Sequence, residues 1–156
     1  MAPRIDLLSV GRPRNAALAE LHDDYAARIV RLGVRYTAGH VPEVRLTGRT
    51  NEEHVKEREG RSLLESLGGK GVHVALDRGG ELLTSEALAR RLPRWAERSV
   101  TFTVGGPLGL HRTVLEAADW VWSLSPLTFP HEVARVLVAE QIYRAVTIAR
   151  RVPYHK

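Results

Sequence analysis

Short β-branched runs alternate along this chain with segments of helical period, and no other feature restricts the fold as much. Successive strands joined through helices pair in parallel, because the helix carries the chain back across a sheet face. The expected fold class is therefore α/β, a mostly parallel sheet flanked by helices. Its 156 residues suit a single domain with one core, 1–156.

The elements follow from punctuation. Ile5 to Val10 reads as the first strand. Asn15 is placed to cap a helix whose Leu18, Leu21, Tyr25, Ile29 and Leu32 share a face, with Gly33 as its stop. Val34 to Tyr36 and Val41 to Leu46 read as strand-like pieces interrupted by Gly39 and Pro42, followed by a loop near Gly48 that is expected to be mobile. Thr50 and Glu53 have capping-box spacing ahead of a helix carrying Val55, Leu63, Leu64 and Leu67, which Gly68-Gly69 ends. Val72 to Asp77 reads as a buried strand that stops at Arg78-Gly79-Gly80. Thr84 or Ser85 then caps a helix bearing Leu88, Leu92 and Trp95. Val100 to Val104, a short helix around Val114, Leu115 and Ala118, a last strand Val121 to Leu124, and a long helix from Pro130 to Ile148 complete the chain.

Three strand exits stand out, after Leu76, Val104 and Leu124, each running into irregular chain with glycine, proline or hydroxyl residues. Adjacent parallel strands would line one cleft with these exits, and the carboxyl edge of an α/β sheet is where ligands bind. Gly105-Gly106-Pro107-Leu108-Gly109 lacks both the G-x-G-x-x-G spacing of dinucleotide folds and the Lys-Ser/Thr ending of a P-loop.

Composition narrows the function classes. The net charge is +5, which favours a polyanionic partner. Among the 23 basic residues only Lys56, Lys70 and Lys156 are lysines, a skew that genome base composition would also produce. With no cysteine there is no disulfide, no thiolate metal site and no cysteine nucleophile. No apolar run reaches the roughly 20 residues needed to span a bilayer, and Met1-Ala2-Pro3-Arg4 is unlike a signal segment, so a cytoplasmic protein with neither membrane nor metal partner is expected.

Several motifs then occur together: Gly105-Gly106-Pro107-x-Gly109, Ser123-Leu124-Ser125-x-x-Thr128-Phe129-Pro130-His131, Arg135-Val136-Leu137-x-x-Glu140-Gln141-x-Tyr143-Arg144-Ala145 and terminal Pro153-Tyr154-His155. With Val10-Gly11 and Lys56-Glu57-x-Glu59-Gly60, the combination resembles the small bacterial SPOUT-class methyltransferases that modify N3 of pseudouridine in large-subunit ribosomal RNA. The resemblance spans the chain and is most specific from Val104 onward. It implies a C-terminal trefoil knot, a homodimer, S-adenosylmethionine as cofactor, and the rRNA of the assembled 70S ribosome as substrate.

Carried over by position, the resemblance implies cofactor contacts from Leu76, Gly105, Leu124, Ser125, Pro126, Leu127, Thr128 and Phe129. An apolar slot with close backbone approach suits an adenosine group. The candidates for the catalytic proton transfer are His131, Tyr154 and His155, with a ribosomal group or solvent as the alternative acceptor. Arg135, Arg144, Arg150 and Arg151 are the candidate RNA contacts, with Arg135 and Arg144 nine residues apart on the last helix and so not bound to act on one group. Glu140 falls in an apolar-rich run and is better explained by an ion pair with Arg144 than by catalysis. Leu108 and Pro126 depart from the family's pattern, and a valine at Gly105 is expected to fill the cofactor slot.

The reaction expected is in-line transfer of a sulfonium methyl to N3. Methylation at pyrimidine C5 ordinarily needs a cysteine, so its absence fits a nitrogen target. Two other readings remain: a non-catalytic ribosome-associated RNA-binding factor, separable by cofactor binding, and a tRNA methyltransferase of the same fold, separable by its use of isolated RNA.

Overall fold

A computed structural model describes residues 2–156. Five strands form one sheet: β1 (Arg4–Val10), β2 (Arg35–Val41), β3 (Val72–Leu82), β4 (Val100–Val104) and β5 (Trp120–Ser123), in the spatial order β2-β1-β4-β3-β5. All four strand pairs are parallel. The connecting helices are α1 (Ala16–Arg31), α2 (Glu52–Leu67), α3 (Ser85–Glu97), α4 (Arg112–Ala117) and α5 (His131–Ala149).

Side-chain alternation along the strands divides the core in two. On one face Ile5, Leu7, Val74, Val100, Phe102 and Trp122 pack against α1, α3 and α5. Trp95 and Trp122 meet Phe102 edge-on, with centroids at 6.3 and 5.9 Å. On the other face Val10, Val41 and Ala75 pack against Leu63 of α2 and Val114 of α4. This thinner face also buries His73 and Thr103, which satisfy each other through a 2.8 Å bond between Nε2 and Oγ1.

The predicted strands and helices are all present, with local differences. The two strand-like pieces near residue 40 are one strand, β2, because pairing along β1 from Arg4↔Arg35 to Val10↔Val41 carries the chain straight through Gly39. The predicted capping box does not form. Asn51 Oδ1 caps α2 by accepting the His54 N–H at 2.7 Å, while Thr50 bonds back to Thr47 in the preceding turn. Asn15 and Thr84 cap α1 and α3 as expected.

The end of β3 differs most. Instead of stopping at Asp77, the strand resumes after an irregularity between Leu76 and Glu81 and pairs Glu81 and Leu82 with Trp122 and Ser123. Only glycine fits at position 80, since a Cβ there would lie 2.6 Å from the Val121 carbonyl oxygen. No helix among the described residues is long and apolar enough to cross a membrane.

Candidate active site

Because β4, β3 and β5 are neighbours, their carboxyl ends open on the same side of the sheet. There they surround a cleft of about 410 Å³. Leu76 from β3, Val104 and the Gly105–Gly109 turn from β4, and Leu124, Ser125, Leu127, Thr128 and Phe129 after β5 form its wall, with His131 and Ala134 of α5 closing one side. Of the residues implied as cofactor contacts, seven meet here; Pro126 is not part of the wall.

The loops are held by short polar contacts. Ser123 Oγ donates a hydrogen bond to the Arg78 carbonyl or to that of Ser125, each at 3.0 Å, so the exits of β3 and β5 are tied together. Ser125 Oγ accepts the Leu127 N–H at 3.1 Å, which folds the loop on itself and leaves Leu127 68% exposed at the rim. The Gly105–Gly109 turn closes through a Gly109 N–H to Gly106 carbonyl bond of 3.0 Å, with Gly109 at φ +84°. A Cβ on Gly105 would stand 2.6 Å from the Gly109 carbonyl carbon. A side chain there therefore displaces the turn itself, which is a different reason for glycine from the filled slot expected from sequence.

Three residues join this neighbourhood without having been singled out. Asp77 and Arg78 line the cleft, and Arg78 reaches the Thr128 hydroxyl at 3.4 Å. Glu132, beside His131, accepts the backbone N–H groups of Arg14 and Asn15 at 2.6 and 3.0 Å and so docks the β1–α1 loop on the start of α5. These two bonds hold its carboxyl below the ordinary range. The visible signal for Asp77 and Arg78 was their place at a strand exit; nothing in the sequence marked Glu132.

The C-terminal candidates lie elsewhere in the chain. Glu140 sits nine residues along α5 from His131, about 14 Å at the helical rise. Its Oε1 accepts Arg144 at 3.0 and 2.7 Å and the Tyr154 hydroxyl at 3.1 Å. The expected Glu140–Arg144 pair thus exists, and Tyr154 covers it, with the guanidinium 4.8 Å from its ring centre. His155 has both ring nitrogens engaged, one with Arg144 at 3.0 Å and the other with Glu86 at 2.8 Å.

Burial and the contact with Tyr25 push the Tyr154 hydroxyl up to about 12, with the neighbouring Glu140 adding to the shift. Arg135 has a buried Nε without a partner. Arg150 and Arg151 lie past the far end of α5, where Arg150 borders Pro3 and Ile5 at the amino edge of the sheet. Of the proposed catalytic and RNA-contacting side chains, only His131 lines the cleft.

The cleft's chemistry suits a small molecule that is part apolar and part polar. Leu76, Val104, Leu124 and Phe129 offer an apolar slot, Asp77, Ser125 and Thr128 supply polar groups, and the glycine turn allows close backbone approach. No group of three or more His, Cys, Asp or Glu among the described residues is placed to hold a metal.

Comparison with known proteins gives the wider context. Residues 3–155 match the family described as predicted SPOUT methyltransferases. The ribosomal RNA large subunit methyltransferase H of Magnetococcus marinus is 42% identical over 162 residues, covering 98% of this chain and 99% of the relative. The protein of that name from Gemmatimonas aurantiaca is 43% identical over 157 residues, with the same coverage. A solved structure of a probable methylase family protein from Haemophilus influenzae superposes with a TM-score of 0.57 over 98% of this chain and 70% of its own, at 11% identity, a likeness of fold.

Proposed function

Since this chain belongs to the SPOUT methyltransferase family, we propose that it methylates N3 of a pseudouridine in large-subunit ribosomal RNA, with S-adenosylmethionine as donor, as a homodimer acting on the assembled ribosome. The cleft where three parallel strand exits converge on a glycine turn carries this reading, because its mixed lining fits an adenosine and an amino-acid moiety. The relatives' names carry the choice of ribosomal RNA. The trefoil threading expected of the family belongs to the same proposal.

When bound, the cofactor supplies a methyl group already activated by its sulfonium. What remains for the protein is alignment and removal of one proton. The slot formed by Leu76, Leu124 and Phe129 would hold the adenosine, with the Gly105–Gly109 turn beside it. With such a donor held there, the chain's own residues would have to orient N3 toward the methyl group and let a base take the N3 proton.

Among the three candidates we assign that role to His131, which lines the cleft. Tyr154, raised to about 12, stays protonated at neutral pH, and both nitrogens of His155 are already engaged. Tyr154 and His155 therefore serve to hold the tail, and they would approach a target nucleotide where the tail of one copy met the cleft of another. The homodimer that the family resemblance implies would allow that meeting. Arg150 and Arg151 would contact phosphates distant from the reacting base.

The test is nucleoside mass spectrometry of large-subunit ribosomal RNA from cells with and without the gene. Loss of 3-methylpseudouridine, restored by the intact gene, is expected. Its persistence would overturn the substrate assignment and direct the search to transfer RNA, the substrate of the alternative reading.

A further inference from the structure

Glu59 is a buried carboxylate that the fold leaves half-satisfied. It projects from α2 and is 3% exposed. Its Oε2 accepts the Val44 N–H at 3.0 Å, while Oε1, shielded from solvent, has no hydrogen-bond partner. A carboxylate oxygen without a donor is costly to bury, so this one opposes folding. Burial pushes the Glu59 carboxyl above its ordinary range, and Glu43 pushes it further, against the pull of the Val44 N–H.

The groups packed around it offer no compensating charge. Glu43, on the loop after β2, is a second anion and faces Arg14 at 3.7 Å. His111, which packs on α2 beside Gly60, spends its Nε2 on Glu53 at 2.7 Å. From β1 the apolar side chain of Val10 packs beside Gly106, as Glu59 does. No ion pair forms at Glu59 among the described residues.

Beside the bare oxygen is the glycine turn of the cleft. A methyl group added at Gly106 would lie 3.6 Å from Glu59 Oε1 and 3.1 Å from Val10 Cγ1, and Gly106 also lines the cleft. The carboxylate and the cleft are thus separated by the thickness of one glycine. We propose that Glu59 is the counter-charge for the cationic methyl donor, acting through the Gly105–Gly106 turn to favour the sulfonium over the neutral thioether product. This rests on the reading that the cleft takes S-adenosylmethionine.

A turn that is mostly glycine is thin and carries no side chain to swing between the charges. At an effective dielectric near 20, a unit pair one residue apart still changes affinity by about tenfold or more. The donor is cationic at sulfur and the product is not, so the preference collapses once the methyl has left, which helps product release. Linkage fixes the pH dependence. Donor binding favours ionised Glu59, so donor affinity rises with pH through the raised carboxyl range, whereas product affinity stays flat. Glu59 is a positioning residue in this account, since it does not line the cleft.

Isothermal titration of the whole chain with S-adenosylmethionine, S-adenosylhomocysteine and sinefungin, whose amine replaces the sulfonium, tests this between about pH 5 and about pH 8. For the wild type, the preference for the two cationic ligands over the thioether is expected to grow with pH. Glu59→Gln keeps an acceptor for the Val44 N–H, and should lower affinity for both cationic ligands about tenfold while leaving the thioether within about twofold. It should unfold at no lower temperature than wild type at neutral pH, because it removes an unpaired buried charge.

An unchanged cation-to-thioether ratio in the variant, or equal loss of all three ligands, would overturn the proposal. If Glu59→Gln fails to fold, the wild-type pH series decides, and a flat ratio refutes it. If the wild type binds none of the three, the cofactor assignment itself is wrong, and the inference falls with it.

Discussion

Replacing Gly105 by alanine places the new Cβ 2.6 Å from the Gly109 carbonyl carbon and 2.8 Å from the Leu110 nitrogen. Ordinary carbon contacts are about 3.5–4.0 Å, so backbone must move by about 1 Å. Neither obstacle is the end of a flexible side chain. Overpacking of this kind costs about 1–3 kcal/mol, and opening the Gly109–Gly106 hydrogen bond adds about 1 kcal/mol. The total, about 2–4 kcal/mol, corresponds to a fall in Tm of roughly 5–15 °C for a chain of this size.

Two other glycines provide the scale. Gly109→Ala meets no atom but must adopt φ +84°, for about 1–2 kcal/mol. Gly48→Ala meets nothing and needs no unusual φ, so its effect should stay within about 0.5 kcal/mol. Urea unfolding orders the three variants, and calorimetric titration with S-adenosylmethionine shows whether affinity follows the turn. A Gly105→Ala protein as stable as Gly48→Ala, with wild-type donor affinity, would refute the close-approach argument.

Glu140→Ala should loosen the tail: the Tyr154 hydroxyl should titrate below its present value of about 12 in an ultraviolet titration, only part of the shift being due to Glu140, with a stability loss of about 1–3 kcal/mol from the orphaned Arg144 contacts. Leu127→Ser, at a rim position 68% exposed, should alter stability by less than about 0.5 kcal/mol yet weaken donor binding by about threefold or more, read by the same titration. Burial lowers the pKa of both His22 and His73, so the unfolded chain binds more protons and stability should decline as pH falls from the ordinary histidine value toward the lowered ones. Urea midpoints from about pH 7 to about pH 5 check this in a Glu59→Gln background, since the raised carboxyl of Glu59 acts in the opposite sense, losing stability as pH rises.

Much of this protein is legible one residue at a time. The β-branched runs, the caps at Asn15 and Thr84 and the glycine stops are local signals, and local sterics and hydrogen bonding carry them unchanged into the fold. The convergence of the exits after Leu76, Val104 and Leu124 was an inference conditional on strand adjacency, and the sheet order supplies that condition. The single strand through Gly39 and the resumption of β3 at Glu81 were not legible, because partner strands provide the hydrogen bonds that override weak local preference.

Charge is where sequence reasoning stops soonest. From the sequence Tyr154, His155 and His131 are equal candidates for moving a proton, and of the contacts around Arg144 only its pair with Glu140 is legible. Only the tertiary structure adds Tyr154 to that pair and His155 to Arg144 and Glu86, leaves His131 at the cleft, and sets the unpaired Glu59 behind the glycine turn. The identity of a side chain fixes which charge it can carry; its burial and its partners, which come from residues far away in the chain, decide whether that charge is spent on the fold or left for chemistry.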